Sequence, residues 1–397
     1  MKKICVIPAG YKPIPPVNGG AVETIIQNMI ELNEKYTKLN MTVLSVENKT
    51  AIKQSTIYKN TKYVYFKNNP KADKVYYWII YKTFKKFLNI ILPDYLVKKQ
   101  MIKYAYEKKD EYDWFLFEGG EIDCLKYYSK ILDPEKILYH SHGAISNKKH
   151  LETSFQYYIA VSNYVKNVWT KSIQETKRNM AITLPNGINQ EKFKVSLSPN
   201  QRESKRKEYR FDNNDTILVF VGRIIPEKGV VELLNCMMLL PDNFKLLIIG
   251  SSNFGEKTMT KYEKKVSKLV NDLENRVVFS GYVPNDKIGE YYQIGDISVV
   301  PSMFDDPAPL VIIEAMAAGL PIVTTGSGGI KEYCNENCAV FVERGEMFVD
   351  RLKDAVLDLS ANKNTMKKMS VYGKERASMF TDIAQYQNFV DLLETIS

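Results

Sequence analysis

Residues 304–321, FDDPAPLVIIEAMAAGLP, run from an acidic loop into a helical pattern that is apolar almost all round. The helix carries one carboxylate, Glu314, which we expect to be largely buried among its apolar neighbours. A buried carboxylate costs free energy unless other groups donate hydrogen bonds to it. The run contains no Lys, Arg or His. We therefore expect the hydroxyl groups of a bound ligand to serve as the donors.

Short apolar runs on both sides of this stretch predict buried strands, and helical patterns lie between most of them. Such alternation predicts parallel sheets in two doubly wound α/β domains. The predicted strands of the first half are residues 3–8, 42–46, 114–117, 137–139, 159–161 and 181–184. Those of the second half are residues 216–221, 245–249, 277–279, 297–300, 321–324 and 339–342.

The length of 397 residues suits two domains of ordinary size. Residues 190–215 are polar and rich in Lys, Arg, Ser and Asn, which is typical of a linker. We predict one domain over 1–195, a second over 196–377, and a last helix at about 378–397 that packs back on the first. The apolar face of that helix contains Ile383, Tyr386, Phe389, Val390 and Leu393.

Charge and cysteine content narrow the function classes. The net charge of +9 favours anionic partners such as nucleotides or phospholipid surfaces, whereas no motif supports nucleic-acid binding. Five scattered Cys without a C-x-x-C pair argue against disulfides or a zinc site and fit a reducing cytosol. The apolar run after Lys3 is too short for a signal peptide, so we expect a cytoplasmic location. The absence of G-x-G-x-x-G and of G-x-x-x-x-G-K-[ST] disfavours dehydrogenases and P-loop proteins.

Seven residues separate Asp306 from Glu314. This spacing resembles the Glu-x7-Glu signature of retaining glycosyltransferases of family 4, with Asp at the first position. The resemblance implies a GT-B fold, in which two Rossmann-like domains face each other across a cleft. It also implies that Glu314 holds the ribose of a sugar nucleotide and that Asp306 faces the donor sugar. An alternative or additional role for Asp306, which precedes Pro307, is a helix N-cap.

The segment FVGRIIPEKG, residues 220–229, matches the family's Gly-Arg…Glu-Lys-Gly motif residue for residue. A strand is predicted to end at Gly222, which places Arg223 and Lys228 at the carboxyl edge of a sheet, where open α/β sheets bind ligands. Two cations there suit a diphosphate leaving group. The alternative is a pair of solvated side chains in a loop.

Two more sites follow from the resemblance. Gly19 and Gly20 precede a helix from Ala21 and look like the family's loop that approaches the donor's phosphates and sugar; the alternative is a plain βα turn. His142 takes the place of the family's His that faces the donor sugar, with His140 as the second choice. A metal-binding pair or a structural His is the alternative, and no Cys or carboxylate lies at matching spacing nearby.

The remaining landmarks are weaker. The loop Gly326–Gly329 looks like the family's small-residue loop after the Glu helix. Leu310 and Val311, at the start of the apolar run, are included with the donor-binding residues. Pro309 stands where the family has Gly and removes an N–H that would otherwise bond to the donor. Sequences 161–163 and 185–188 are interpreted as a helix start and a tight turn.

Residues 74–109 mix aromatic, aliphatic and Lys side chains. This composition suits contact with an anionic inner-membrane surface near a lipid-linked acceptor, or a core helix with a solvated Lys face. Together these features predict a metal-independent hexosyltransferase without a resident cofactor. It would use a nucleotide-sugar, UDP-linked, and a glycan or lipid-linked glycan acceptor in surface polysaccharide biosynthesis. The alternatives are a sugar-nucleotide epimerase and a non-catalytic partner of the same fold.

Overall fold

The computed structural model describes residues 1–9, 12–17, 19–76, 78–79, 96–146, 150–250, 260–281, 283–284 and 287–396. The chain forms two compact units. Unit 1 consists of Met1–Asn186 and Asp382–Ser397, and unit 2 consists of Gly187–Thr381. Each unit has its own sheet and its own core.

Unit 1 is built on a seven-stranded sheet in the order β3-β2-β1-β4-β5-β6-β7, and all of its strand pairs are parallel. Its strands are β1 Lys2–Pro8, β2 Leu39–Val46, β3 Thr61–Phe66, β4 Trp114–Glu118, β5 Ile137–Ser141, β6 Tyr157–Ala160 and β7 Ala181–Thr183. Its α-helices are α1 Ala21–Tyr36, α2 Lys49–Ser55, α3 Pro70–Tyr76, α4 Leu96–Glu107, α5 Leu125–Tyr128, α6 Asn163–Thr170 and the last helix of the chain, Asp382–Thr395.

Unit 2 is built on a six-stranded parallel sheet in the order β10-β9-β8-β11-β12-β13. Its strands are β8 Thr216–Val221, β9 Phe244–Ile249, β10 Val277–Gly281, β11 Ile297–Val300, β12 Ile322–Thr324 and β13 Ala339–Phe341. Its helices are α7 Pro199–Glu208, α8 Val230–Leu239, α9 Lys261–Asp272, α10 Ile288–Tyr292, α11 Leu310–Ala318, α12 Ile330–Tyr333, α13 Phe348–Ala361 and α14 Lys363–Ala377. The last helix, Asp382–Thr395, is therefore α15.

The prediction of two Rossmann-like, doubly wound parallel-sheet domains is confirmed. Central strands are mostly apolar because helices cover both faces of a parallel sheet, as in β1, where Ile4–Pro8 is buried. Each of the twelve predicted strands is present within a few residues of its expected bounds. Strand β3 was not predicted, because it is an edge strand in which Lys62 interrupts the apolar run and most residues are half-buried.

The interpretation of residues 190–215 as a linker is wrong. Ser198 begins α7 with a capping box that includes Gln201. Arg202 and Arg206, one helical turn apart, both bond to the carboxylate of Asp296 at 2.8 Å, and Arg206 is only 3% exposed. The polar composition of this segment therefore serves a partly buried ion-pair network in unit 2, not a solvated connection.

The units also divide at residues a little different from the predicted 195/196 and 377/378. Residues 187–195 lie with unit 2, since the Gln190 side-chain amide donates to the Ala377 carbonyl and Phe193 packs on Tyr292. Helix α15 packs against α1 within unit 1. There the Tyr386 hydroxyl donates to Asn33 Oδ1 at 2.7 Å.

The predicted apolar face of α15 is largely right. Tyr386, Phe389, Val390 and Leu393 are buried, and they belong to the same core cluster as residues of β1 and α1. Ile383 is 48% exposed and does not belong to that face. Its i+4 neighbour on the helix, Gln387, is also exposed, so Ile383 lies at the edge of the buried face.

Candidate functional site

In unit 2, residues 304–321 form the predicted loop and helix. The loop leaves β11, and α11 begins at Leu310 with Pro309 at the N-cap position. No side chain caps this helix, so the hypothesis that Asp306 is the N-cap is wrong. The first N–H groups of a helix lack partners within it, and they carry the positive end of its dipole. Leu310 and Val311 contribute two of these groups at the carboxyl edge of the sheet.

Glu314 lies on α11 and is 7% exposed, as its apolar neighbours predict. Burial raises the pKa of its carboxyl to about 7, although a hydrogen bond from Tyr292 acts in the opposite direction. The Tyr292 hydroxyl donates to Glu314 Oε2 at 3.0 Å. This donor comes from α10 and was not predicted from the sequence. The sequence gives little indication of this contact, because the chain has many Tyr and their positions do not show which one meets Glu314.

Lys228 and Asp306 form an ion pair that the spacing of the motifs did not predict. Lys228 Nζ lies 2.6 Å from Asp306 Oδ2, and it also lies over the Phe304 ring at 4.9 Å from the centroid. Asp306 is 4% exposed, whereas the Lys228 side chain is 21% exposed. The ammonium group therefore neutralises a buried carboxylate and remains accessible to an anion. The Met303 N–H, which donates to the Glu227 carbonyl at 2.9 Å, holds the two loops together.

The small-residue loop Gly326–Gly329 lies directly against the acidic loop. Gly329 N–H donates to the Asp306 carbonyl at 2.8 Å. At Gly328, φ is +62° and a Cβ would lie 2.4 Å from the Asp306 carbonyl oxygen. Only glycine combines this backbone conformation with so close an approach. The small residues of this loop therefore allow its backbone to lie directly against the acidic loop.

Gly222 and Arg223 follow β8 at the same edge of the sheet, as predicted. The Gly222 N–H donates to the Ile249 carbonyl at 3.0 Å, which ties this turn to β9. Arg223 is exposed. Within the described part of the chain, no hydrogen bond or ion pair to its guanidinium group is found. Unit 2 thus brings Arg223, Lys228 and the start of α11 to one edge of its sheet.

In unit 1, His140 and His142 lie at the carboxyl end of β5. Both face Glu118 at the end of β4, with His140 Nδ1 3.0 Å and His142 Nε2 2.7 Å from Glu118 Oε2. No carboxylate lies at metal-ligand spacing from the His pair in the sequence, but the sheet brings Glu118 against both rings. Glu118 precedes His140 by 22 positions and becomes its direct neighbour through the β4–β5 register. One atom from each of the three side chains lies within 4.8 Å of the others, so this set could also hold a metal ion.

The predicted Gly loop of unit 1 is described in part, since residues 10, 11 and 18 lie outside the described residues. Gly20 precedes α1 with φ at 137°. A Cβ there would meet Glu23, whose carboxyl is buried and has a raised pKa because of burial. Lys12 Nζ donates to the Gly19 carbonyl at 3.3 Å. Lys12 in this loop and Glu23 in the first turn of α1 are charged groups that were not predicted from the sequence.

Much of the predicted membrane-contact segment, including residues 80–95, lies outside the described residues. In its described part, Trp78 is 68% exposed, whereas Lys98 on α4 is 2% exposed and donates to the Pro8 carbonyl. No helix in the described ranges has both the length and the apolar character needed to cross a bilayer. Membrane contact remains a prediction.

The chain is similar in sequence to a known protein family and to individual proteins. Residues 201–376 match the family model of the glycosyl transferases group 1. The chain is 27% identical over 220 residues to the lipopolysaccharide 1,2-N-acetylglucosaminetransferase of Salmonella typhimurium, over 53% of this chain and 55% of that protein. It is 24% identical over 388 residues to spore coat protein SA of Bacillus subtilis, over 93% of both chains. The chain thus spans only about half the length of the first of these relatives.

Solved structures show the fold. The Anabaena protein Alr3699/HepE, crystallised with UDP and glucose, aligns over 100% of both chains with a TM-score of 0.74 and 18% identity. WaaG, described as a glycosyltransferase involved in lipopolysaccharide biosynthesis, aligns over 99% of both chains with a TM-score of 0.65 and 14% identity. These structures show the fold over the whole chain, and the family match covers residues 201–376 within it.

Proposed function

We propose that this protein is a retaining, metal-independent hexosyltransferase of family 4. It moves a sugar from a UDP-sugar to a glycan or lipid-linked glycan during surface polysaccharide biosynthesis. The relatives' names support the acceptor class, and the UDP complex of a protein with the same fold supports the nucleotide. The predicted contact of residues 74–109 with the inner face of the membrane belongs to the same proposal.

The observation that carries the proposal is the environment of Glu314. The carboxylate is buried with one hydroxyl donor, Tyr292, and a pKa of about 7. Such a group gains from further donors, and the two adjacent hydroxyls of a ribose supply them. The ribose would therefore bind best when Glu314 is ionised.

The cations at the same edge of the sheet would stabilise the leaving group. Arg223 and Lys228, with the N–H groups of Leu310 and Val311, provide positive charge where a diphosphate gains negative charge. The bond between the anomeric carbon and the diphosphate oxygen breaks, and a bond to the acceptor oxygen forms on the same face. The acceptor's hydroxyl proton passes to the departing diphosphate, so no side chain is needed as general base. Asp306, His142, Gly19 and Gly20 would position the sugar, and Gly222 would allow close approach of the loop.

The first test is calorimetric binding of UDP and of a panel of sugar nucleotides in the presence of a chelator. Wild-type protein should bind UDP, and Glu314→Ala should weaken binding by about 10- to 100-fold, since it removes a charged acceptor. Glu336→Ala removes an exposed carboxylate of the same unit and is the matched control. Absence of nucleotide binding to the folded wild type would overturn the proposal.

The second test measures turnover of the preferred donor. Lys228→Met should lower kcat by about 100- to 1,000-fold, because it removes charge that stabilises the leaving group. Formation of an epimerised sugar nucleotide without acceptor would identify an epimerase instead. Binding of UDP without turnover of any donor in the panel, with or without glycan acceptors, would favour the non-catalytic partner. Retention is checked by the anomeric configuration of the product.

A further inference from the structure

The carboxyl edge of the unit 1 sheet contains a hydrogen-bonded triad of Glu118, His140 and His142. Both imidazoles approach the same oxygen, Oε2 of Glu118, at 3.0 and 2.7 Å. Glu118 is 0% exposed and His140 is 1% exposed, whereas the His142 side chain is 13% exposed. His142 is thus the member of the triad that reaches solvent, and the other two lie behind it.

The distances favour hydrogen bonds over a metal centre. Two ligands of one tetrahedral zinc ion, each bonded at about 2.0–2.1 Å, lie about 3.4 Å from each other. The distances of 2.7 and 3.0 Å in the triad are shorter and lie in the hydrogen-bond range. A ligating His also donates its second ring nitrogen to a partner. The other nitrogen of His140, Nε2, is buried without a hydrogen-bond partner among the described residues.

The charge state of Glu118 determines which ring nitrogens carry hydrogen. Burial acts to raise the pKa of Glu118, but interaction with His140 and hydrogen bonds from both imidazoles hold it at about 2. An ionised carboxylate only accepts hydrogen bonds. His140 Nδ1 and His142 Nε2 must therefore both be N–H groups. Burial, together with His140, lowers the pKa of His142, which favours its neutral form.

We propose that Glu118 is a positioning residue that fixes His142 as the Nε2–H tautomer, so that His142 Nδ1 accepts a hydrogen bond from a hydroxyl group of the sugar substrate. His140 supports the same carboxylate from behind. The identification of the ligand as a sugar rests on the proposed function, whereas the tautomer and its cause rest on the triad alone. In this arrangement His142 Nδ1 is the acceptor and the sugar hydroxyl is the donor. A deoxy sugar at that position leaves Nδ1 without a partner.

The test uses the full chain labelled with 15N at histidine. The sequence has three His, so three imidazole spin systems are expected, and His150→Gln assigns one of them. His142 should show Nε2–H and an unprotonated Nδ1 in wild-type protein at pH 8. Glu118→Gln should convert His142 to a mixture of tautomers and leave His150 unchanged. Glu152→Gln is the matched control, since His150 Nδ1 lies 3.4 Å from Glu152 Oε1, and it should affect His150 alone.

A wild-type spectrum with His142 as the Nδ1–H tautomer would overturn the inference even if Glu118→Gln did not fold. An unchanged His142 tautomer in a folded Glu118→Gln protein would also overturn it. Retention of the tautomer pattern after chelator treatment is expected, and its loss would show that a metal holds the triad.

Kinetics separate this inference from the proposed function. Glu118→Gln should lower kcat/KM for the donor by about 10- to 100-fold through misorientation of His142. Calorimetric binding of UDP alone should not change, since the nucleotide groups lie in unit 2. UDP binding with unchanged donor kinetics in Glu118→Gln would refute the positioning role. Failure of the wild type to bind UDP would refute the proposed function and leave the tautomer result standing.

Discussion

Glu118 in unit 1 and Glu314 in unit 2 are both buried near the carboxyl edge of a parallel sheet, yet their pKa values move in opposite directions. Glu118 accepts two imidazole N–H bonds and has a pKa of about 2. Glu314 accepts one bond from a neutral hydroxyl and has a pKa of about 7. Burial is similar, so the number and charge of the donors decide the difference. In unit 1 both donors meet one oxygen of the carboxylate, and Glu118 Oε1 is buried without a hydrogen-bond partner among the described residues, whereas in unit 2 the carboxylate has a single neutral donor.

Removal of the Glu118 carboxylate is expected to have the largest effect. In Glu118→Ala, the N–H groups of His140 and His142 lose their buried acceptor, and the free energy of unfolding of unit 1 should fall by about 3–5 kcal/mol. Urea denaturation followed by tryptophan fluorescence measures it, because all three Trp lie in unit 1. Glu111→Ala removes an exposed ion pair with Lys108 and should leave the transition nearly unchanged. A variant as stable as this control would show that the triad is not a stabilising unit.

At Glu314, removal of the ionisable group is expected to raise the free energy of unfolding at pH 8 rather than lower it. Its folded-state pKa is raised, so its contribution to stability is present below the unfolded pKa of about 4.5 and is lost as pH rises through about 7. Glu314→Gln cannot ionise and should be more stable than wild type at pH 8 by about 3 kcal/mol. Denaturation of both proteins from pH 4.5 to 8 measures this difference. Glu336→Gln is the control, and equal pH profiles for Glu314→Gln and wild type would contradict the prediction.

Two Gly→Ala substitutions, one near the carboxyl edge of each sheet, are expected to differ in their effect on stability. Gly328→Ala places a Cβ against the Asp306 carbonyl in a left-handed conformation, and it should lower the free energy of unfolding by about 2–3 kcal/mol. At Gly143, beside His142, a Cβ meets nothing within 4 Å, so Gly143→Ala should be close to neutral. Differential scanning calorimetry of the two variants measures the loss of stability in each. Equal losses would mean that the loop contact at Gly328 relaxes without cost.

The smallest effect is expected at Tyr292. Tyr292→Phe removes the only described hydrogen bond to Glu314, which should raise the pKa of that carboxyl further and lower stability at pH 8 by about 1–2 kcal/mol. Stability falls at pH 8 because the ionised Glu314 carboxylate loses its hydrogen-bond donor. Urea denaturation at pH 5 and pH 8 checks it, with the exposed Tyr372→Phe as control. A loss equal at both pH values would indicate a packing effect.

Much of the fold was predictable because its signal is local. Apolar runs of strand length and helical patterns between them are visible along the chain, and they predicted the doubly wound domains. The polar segment that contains α7 was misinterpreted because Arg202 and Arg206 find their carboxylate, Asp296, about ninety positions later in the chain. Composition describes a segment and does not reveal its distant partner.

The sequence by itself determined that Glu314 would be buried on an apolar helix, and that Arg223, Lys228 and His142 would follow strands at the carboxyl edges of two sheets. Only the tertiary structure decided the partners. Tyr292 meets Glu314, and Glu118 meets His140, each across 22 positions of chain. The reason is that parallel strands bring their carboxyl ends to one edge, whereas periodicity along the chain contains no information about which loops meet there.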